Sequence, residues 1–540
     1  MKNFKHLLIV IMVAILTFQA TACTNQTVHV APNGPHMSER VYERVDEAAV
    51  DACLSEIYEL LKVKDKRFEI VEKREEFFNK YYSHTFTMNT VASINYDKNV
   101  NDAYWQEESV IATSIAQKVQ NEALKLEQAL LTSEYYGDYF KCMFGADYAA
   151  SILATDTESE EQLAWLNEIS TLEAEYSVLY SQSKSSELVD TYIQLVSLRN
   201  EYARSKLDKN GEYYKNYMDY AYAEVYGREY TPDEVSDFRN KARTKFASIR
   251  NKYYNASSNS NYFKDESISE TKLKEFMPEI IKNSIPEMMS SWDYMMEREL
   301  YDFSQSANKA ERSYVTSFSE YDDAYMFINA DGKFLSDLST LIHEFGHYNE
   351  HFMSDPNLAT GNMSYDLAET HSQAFELITL DAVKNVIFKN SKTQYLYQSY
   401  VFNLMINSIW AILSNCIFDS FEYIVYNANP EDLTAQFLHT EFADIWNDYW
   451  PSTPRPFYDI PHLFVSPAYC ISYSVSMVFS FEIWASDDPV NNYIKTVQYG
   501  TDNTLSNVYT NVGLKNPLSG ATIDSIVEKV SSFTRSTFGW

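Results

Sequence analysis

The sequence predicts a mainly α-helical chain with one short stretch of β-sheet. Three observations carry this. Glycine and proline are sparse, 12 and 14 in 540 residues, so the closely spaced turns of a sandwich or barrel are missing. Leu163, Leu166, Ile169, Leu172, Tyr176 and Leu179 recur at intervals of three and four, the spacing that lines one face of a helix. One segment breaks the helical pattern: Ala324-Tyr325-Met326-Phe327-Ile328 runs into Asn329-Ala330-Asp331-Gly332, which reads as a strand followed by a turn.

Taken in order, the chain opens on a targeting segment. Lys2 and Lys5 precede an apolar run from Leu7 to Leu16, too short to span a bilayer comfortably. Ala20-Thr21-Ala22-Cys23 follows and resembles a bacterial lipoprotein signal. Residues 1–22 are therefore expected to be removed and Cys23 lipidated, which gives an exported protein anchored on the outer face of the cell membrane. The alternative is a secretory signal cut after Ala22, giving a secreted protein. Residues 23–37, with Pro32, Gly34 and Pro35, read as a tether.

Residues 38–205 read as an N-terminal helical region. Its stripe is interrupted by a polar break around Ser181–Ser186 and resumes at Tyr192, Leu195 and Val196. The remainder, 206–540, is expected to carry the chemistry. Thr231-Pro232-Asp233-Glu234 is a capping box with proline at the first helical position, so a helix begins there. Val401 to Ile417 is apolar, but Asn403, Asn407, Ser408, Ser414 and Asn415 interrupt it, so a buried helix is expected rather than a membrane span.

Lys+Arg 44 against Asp+Glu 76 gives a net charge of −32. That excess argues against nucleic acid as a partner, and against holding anionic lipid through a basic patch. The 43 tyrosines read mostly as amphipathic packing, with a few in a peptide-binding groove. Cys53, Cys142, Cys416 and Cys470 contain no CxxC pair, so a cysteine zinc site is not expected. They read as four buried thiols.

His343-Glu344-Phe345-Gly346-His347 is an HExxH pentapeptide in a helical segment. Histidines four apart lie one turn apart on one face and hold a single zinc ion, with the glutamate between them placed to act on water. Leu338, Leu341, Ile342 and Phe345 form the apolar side of this helix, and Ser336 or Asp337 is expected to cap it. A catalytic zinc takes three protein ligands. The third is expected to be Glu369, 22 residues after His347, on a second helix that returns after a loop through Pro356 and Gly361. His371 and His351 compete in sequence, His351 being placed at the rim. The strand before the motif offers a sheet edge to an extended peptide at Tyr325 to Ile328, with Tyr325 and Phe327 as contacts. Asp366, Gln373 and Glu376 are candidates to orient a ligand histidine.

These blocks resemble the M3 family of zinc metallopeptidases, the thimet oligopeptidase and oligoendopeptidase F group. The resemblance rests on Asn329, Asp337-Leu338-Ser339-Thr340-Leu341, the HEFGH motif, Glu369, Ser372-Gln373 and Glu376, and on Ile460-Pro461-His462, Ser466-Pro467, Tyr469 and Tyr473. It covers roughly residues 230–540. It implies a two-lobed helical shell around a deep channel, one zinc per chain at its base, and Glu344 as proton shuttle. His462 and Tyr473 would then serve the oxyanion and Tyr469 the substrate. The activity implied is internal cleavage of short unstructured peptides. The rivals are a peptide-binding lipoprotein with reduced or lost catalysis and a dipeptidyl carboxypeptidase with the same zinc layout. One departure stands out: Ser304 to Phe318 contains no glycine, where the family carries a glycine-bearing loop.

Overall fold

Among the described residues helix follows helix, with a single three-stranded sheet set before the HExxH motif. The computed structural model describes residues 33–540 apart from 155–158, 209, 362 and 390–393. Residues 1–32 lie outside the described residues, and with them the expected signal segment, Cys23 and most of the tether.

The expected helices form where the pattern puts them. The stripe from Leu163 to Leu179 lies on the helix Glu160–Ser181, and Ile169, Leu172, Tyr176 and Leu179 are buried. After the polar break comes α2 (Ser185–Arg204), preceded in the chain by α1 (Ser83–Lys98). Thr231 caps α3 (Pro232–Ala256): its hydroxyl accepts from the Glu234 N–H, and the Glu234 carboxylate accepts from the Thr231 N–H at 2.8 Å.

Two hydrophobic cores result among the described residues. One is built from residues between Val50 and Ile152, among them Leu54, Ile57, Ile70, Leu126 and Phe140. The larger runs from Met88 to Val530 and takes in the helix Glu160–Ser181, α2 and everything around the sheet. Helix α1 serves both, with Phe86 in the first and Met88, Val91 and Ile94 in the second.

The sheet consists of β1 (Tyr301–Asp302), β2 (Tyr314–Phe318) and β3 (Asp323–Phe327) in the order β1-β3-β2. β3 pairs parallel with β1 and antiparallel with β2. This corrects the expectation of a peptide-binding edge at Tyr325 to Ile328. β3 is the central strand, and the side chains of Tyr325 and Phe327 are 0% exposed. The ring of Tyr314 stacks on Phe327 at 5.1 Å and the Lys309 ammonium lies 4.4 Å from the same ring. Tyr325 and Phe327 are core residues, not substrate contacts, because neighbouring strands and loops cover them.

The strand leads into α4 (Phe334–Met353), which begins two residues before Ser336. The expected cap is therefore corrected. Ser336 and Asp337 sit inside the first turns, and Asp337 reaches back to accept from the N–H groups of Asp331 (2.9 Å) and Gly332 (3.0 Å). The free N–H groups of Phe334 and Leu335 donate to the Glu266 carbonyl and the Asp265 carboxylate, a tertiary cap with no local signature. Leu338, Leu341, Ile342 and Phe345 are 0–1% exposed, each contributing about 1.5–3 kcal/mol of burial.

After α4 the chain passes to Tyr365–Ala368 and α5 (Thr370–Ile378), then to α6 (Gln394–Asn427) and α7 (Ile471–Ala485). Helix α6 is long and apolar enough to cross a membrane, yet most of its apolar window is buried within the protein, as its interrupting polar residues require. Three thiols are buried; Cys142 is exposed, against expectation, on the outer face of the helix Gly137–Phe144.

The described end of the tether is docked, the Gly34 N–H donating to the Tyr294 hydroxyl at 2.8 Å and the Met37 N–H to the Arg298 carbonyl at 2.9 Å, and an ion pair follows just beyond it. Arg40 donates from both terminal nitrogens to the two Asp323 oxygens at 2.7 Å, with side-chain exposures of 0% and 1%. Its guanidinium lies over the rings of Phe318 (4.2 Å) and Tyr321 (4.6 Å). This ion pair ties the N-terminal segment to the start of the strand that leads to the motif. Asp323→Ala leaves a buried guanidinium without its counter-charge and is expected to cost about 3–5 kcal/mol. Calorimetry reads this; an unchanged melting temperature would contradict it.

Candidate metal centre

The HExxH helix and the Glu369 segment come together because Gly346 permits it. A Cβ added at Gly346 would stand 2.5 Å from the Ser372 Cα and 2.9 Å from the His371 carbonyl oxygen, closer than non-bonded carbon atoms approach. Helices α4 and α5 therefore meet backbone to backbone at the glycine of the motif. That contact sets Glu369, at the entry to α5, opposite the two histidines.

His343 Nε2 lies 3.5 Å, and His347 Nε2 3.6 Å, from Glu369 Oε2. These three residues form the only His/Cys/Asp/Glu group of metal-binding geometry among the described residues, with all ligand atoms within 4.8 Å of one another. Zn–N and Zn–O bonds of about 2.0–2.2 Å leave tetrahedral ligand atoms about 3.3–3.6 Å apart. Two imidazoles and a carboxylate also form a donor set suited to zinc. The residues present fit the group. Burial would raise the Glu369 carboxyl, but the hydrogen bonds and charges of the two imidazoles hold it well below the usual carboxylate range.

Of the three candidates to orient a ligand, Glu376 does so: its Oε1 is 2.6 Å from His343 Nδ1. That contact presents Nε2 to the centre and makes it more basic. Asp366 accepts instead from the Tyr230 hydroxyl at 2.8 Å, and the Gln373 carbonyl has no partner. Neither His371 nor His351 joins the ligand group. His371 is 1% exposed, and burial lowers its pKa to about 4, so it is a neutral core residue.

Glu344 is 7% exposed, and among the described residues no donor holds its carboxylate. Burial raises its pKa against the lowering charges of His343 and His347. His462, on the helix Pro461–Val465, and Tyr469 and Tyr473 form one aromatic group. Ring centroids are 6.1 Å apart for His462–Tyr469, 6.0 Å for His462–Tyr473 and 5.1 Å for Tyr469–Tyr473. Both phenols are pushed up, first by burial, and both feel the charge of Glu369. Burial lowers His462, so it is neutral near pH 7 and carries one N–H donor. The link of this block to the metal-binding group is the charge of Glu369 felt by the two phenols.

The glycine-free loop is fastened down. Lys309, 3% exposed, donates to Asp302 (3.0 Å) and to the carbonyls of Ser304 (2.8 Å) and Ile328 (2.6 Å). Arg312 binds both oxygens of Asp97 at the end of α1, and the Tyr314 hydroxyl joins them at 2.7 Å. The Asn329 amide donates to the Ala310 carbonyl at 3.2 Å.

Sequence reasoning missed the segment Tyr222–Tyr230. Tyr222 donates to Asp419, Tyr226 to the Pro467 carbonyl, Tyr230 to Asp366, and Arg228 lies among them. The available signal was local: tyrosines at every fourth position, running straight into the Thr231 capping box.

Two family models match the chain: peptidase family M3 over residues 263–528 and the peptidase M3 N-terminal domain over residues 37–152. An oligoendopeptidase F homolog of Borreliella burgdorferi is 24% identical over 212 residues, a match that covers 36% of this chain and 35% of that protein. The chain thus matches about a third of the length of this curated relative. Among solved structures, PZ peptidase A with an inhibitor has a TM-score of 0.73 at 19% identity, covering 92% of this chain and 99% of that one. A Bacillus anthracis protein assigned as an oligoendopeptidase F also scores 0.73, at 18% identity, with 93% and 99% covered. A Pyrococcus furiosus carboxypeptidase scores 0.55 at 12% identity, with 90% and 100% covered. At these identities the structural likeness concerns the fold, which these chains share over nearly their whole length.

Replacing Glu376 by Ala is expected to weaken divalent-metal affinity about 10–100-fold at unchanged helix content. Chelator competition measures this, and parental affinity would take Glu376 out of the role.

Proposed function

The chain belongs to peptidase family M3, whose members are metallopeptidases, and on that premise we propose that it is a zinc-dependent endopeptidase of short unstructured peptides. The observation that carries the reading is the convergence of His343, His347 and Glu369 on one point, with the buried, unclaimed Glu344 carboxylate beside it.

His343, His347 and Glu369 would hold one zinc ion, which when bound polarises a peptide carbonyl and makes water more acidic. Glu344 takes the proton of the attacking water and passes it to the leaving amine. Its burial favours this, because a raised carboxyl is a stronger base and can still release its proton. Tyr473 and His462 donate to the developing oxyanion. Both have a proton to donate at neutral pH: a phenol is protonated there in any case and burial pushes it further up, while burial favours the neutral imidazole, which keeps one N–H. Tyr469, 8% exposed and packed against both, supports them and contacts substrate. Glu376 keeps His343 turned toward the ion.

Short peptides are the substrates this reading favours. A helical shell with the centre inside it admits an extended chain, whereas a folded protein would first have to be opened at a cost of about 5–15 kcal/mol. Lys2, Lys5, the apolar run and Ala20 to Cys23 support export, with Cys23 as the lipid anchor to the membrane.

Three experiments test this. His347→Ala is expected to lose the metal at nearly unchanged helix content; full zinc occupancy in that variant would remove the ligand assignment. Glu344→Gln is expected to keep zinc and lose about 10²–10⁴-fold in kcat, and Tyr473→Phe about a hundred-fold; parental turnover in Glu344→Gln would overturn the mechanism. A length series of one unstructured peptide, with products mapped by mass, is expected to show internal cuts and an intact folded control. Stepwise release of C-terminal dipeptides would instead mark a dipeptidyl carboxypeptidase.

A further inference from the structure

His462 lies on the helix Pro461–Val465 and Tyr473 in the first turn of α7, and the turn between them, which carries Tyr469, is held by side chains from elsewhere as well as by its own backbone hydrogen bonds. Between Val465 and Ile471 the chain leaves one helix and enters α7. Ala468, 0% exposed, takes φ +64° there, a left-handed conformation that residues with a side chain seldom adopt. Four side chains hold its backbone. Arg199 of α2 donates to the carbonyls of Leu463 (3.3 Å) and Phe464. The Tyr226 hydroxyl donates to the Pro467 carbonyl at 2.8 Å. The Glu422 carboxyl on α6 accepts from the Ala468 N–H at 3.0 Å. Arg228 donates from Nη2 to the Tyr469 carbonyl (3.3 Å) and the Ser472 hydroxyl (2.9 Å).

Arg228 also reaches the metal side, and it does so with a charge, whereas Tyr226 meets that side only through its ring, 5.5 Å from that of Tyr365. The Arg228 Nε stands 3.8 Å from Asp366 Oδ1, with side-chain exposures of 1% and 3%. Asp366 lies three residues before Glu369 in the chain. The guanidinium sits over the rings of Tyr222 (4.2 Å) and Tyr226 (4.7 Å). Asp366 is held on its other oxygen by the Tyr230 hydroxyl, and its carbonyl by the Ser476 hydroxyl of α7. One buried cation thus bridges the segment that ends in Glu369 and the segment that ends in Tyr473. Both donated bonds leave from Nη2 and the link to Asp366 is one of charge at 3.8 Å; a lysine keeps the charge but not a planar group wide enough to face both sides at once.

We propose that Arg228 is a positioning residue, fixing Tyr473 in register with Glu369 so that the oxyanion donor and the metal ligand act at one place; this rests on the peptidase reading of the site. Arg228 touches neither substrate nor metal and works through Tyr473.

The test is a double-mutant cycle in the full zinc-loaded chain, with Arg228→Met, Arg228→Lys and the milder Ser472→Ala, each alone and combined with Tyr473→Phe. Arg228→Met is expected to lower kcat about 10–100-fold with KM within about threefold, and Arg228→Lys to recover part of that loss. In the Tyr473→Phe background each is expected to cost less than about threefold more. Full multiplication of the single losses, or an unchanged kcat in Arg228→Met and Ser472→Ala, overturns the proposal. A second readout needs no activity: hydrogen exchange of the peptide spanning residues 466–473 in chelator-treated protein. It is expected to quicken in Arg228→Met and Ser472→Ala while α2 keeps its protection. Should the parent chain show no turnover, the fault lies with the proposed function. Exchange then decides alone, and unchanged protection of this peptide overturns the role of Arg228.

Discussion

The contact between Gly346 and Ser372 is the constraint on which the site depends. Two histidines on one helix can present two nitrogens, but the third donor must come from another element, within about 3.5 Å of both. That demands two helices closer than side chains normally allow. A glycine between the histidines removes the one Cβ that would keep them apart, and the place where it would sit is filled by the backbone of His371 and Ser372. Glu369 and Glu376, on the approaching segment, then reach the histidines from one side.

The protein also keeps several charges in its core. Arg40–Asp323, Arg239–Asp419, Arg228–Asp366 and Arg199–Glu173 all have a partner at 5% exposure or less. Buried ion pairs are weak sources of net stability, but they are strongly directional, and breaking one is costly. Here they join segments distant in sequence: the N-terminal arm to the strand, α3 to α6, and the Tyr222–Tyr230 segment to the turn before Glu369. The pinned loop from Ser304 to Ser313 follows the same logic. Where glycines would leave a loop free to approach substrate, Lys309 and Arg312 fix it to Ile328 and Asp97.

Much of this was legible in the sequence, for a physical reason in each case. The helix spacing of His343 and His347, the return of a carboxylate at Glu369 and the Thr231 capping box are local patterns, and local patterns survive folding. Glu376 could only be placed among three candidates, because which helix face turns inward depends on the Gly346 contact. The strand at Ala324 to Ile328 was readable, but its central position was not. β1 has two residues, too few to show a period, so the strand looked like an edge and Tyr325 and Phe327 like binding residues. The start of α4 was missed because its cap is supplied by Asp265 and Glu266, some seventy residues away in the chain. Arg228 and Ala468 carry no local signal, since their roles come from tertiary partners.

The central claim is that His343, His347 and Glu369 hold one zinc ion. Anomalous diffraction at the zinc absorption edge, from crystals of the metal-loaded chain, tests it most directly. One strong anomalous peak is expected, bonded to Nε2 of both histidines and to the Glu369 carboxylate, with Glu376 still on His343 Nδ1. A peak at any other group of side chains, or zinc-loaded crystals with no peak between α4 and α5, would contradict it.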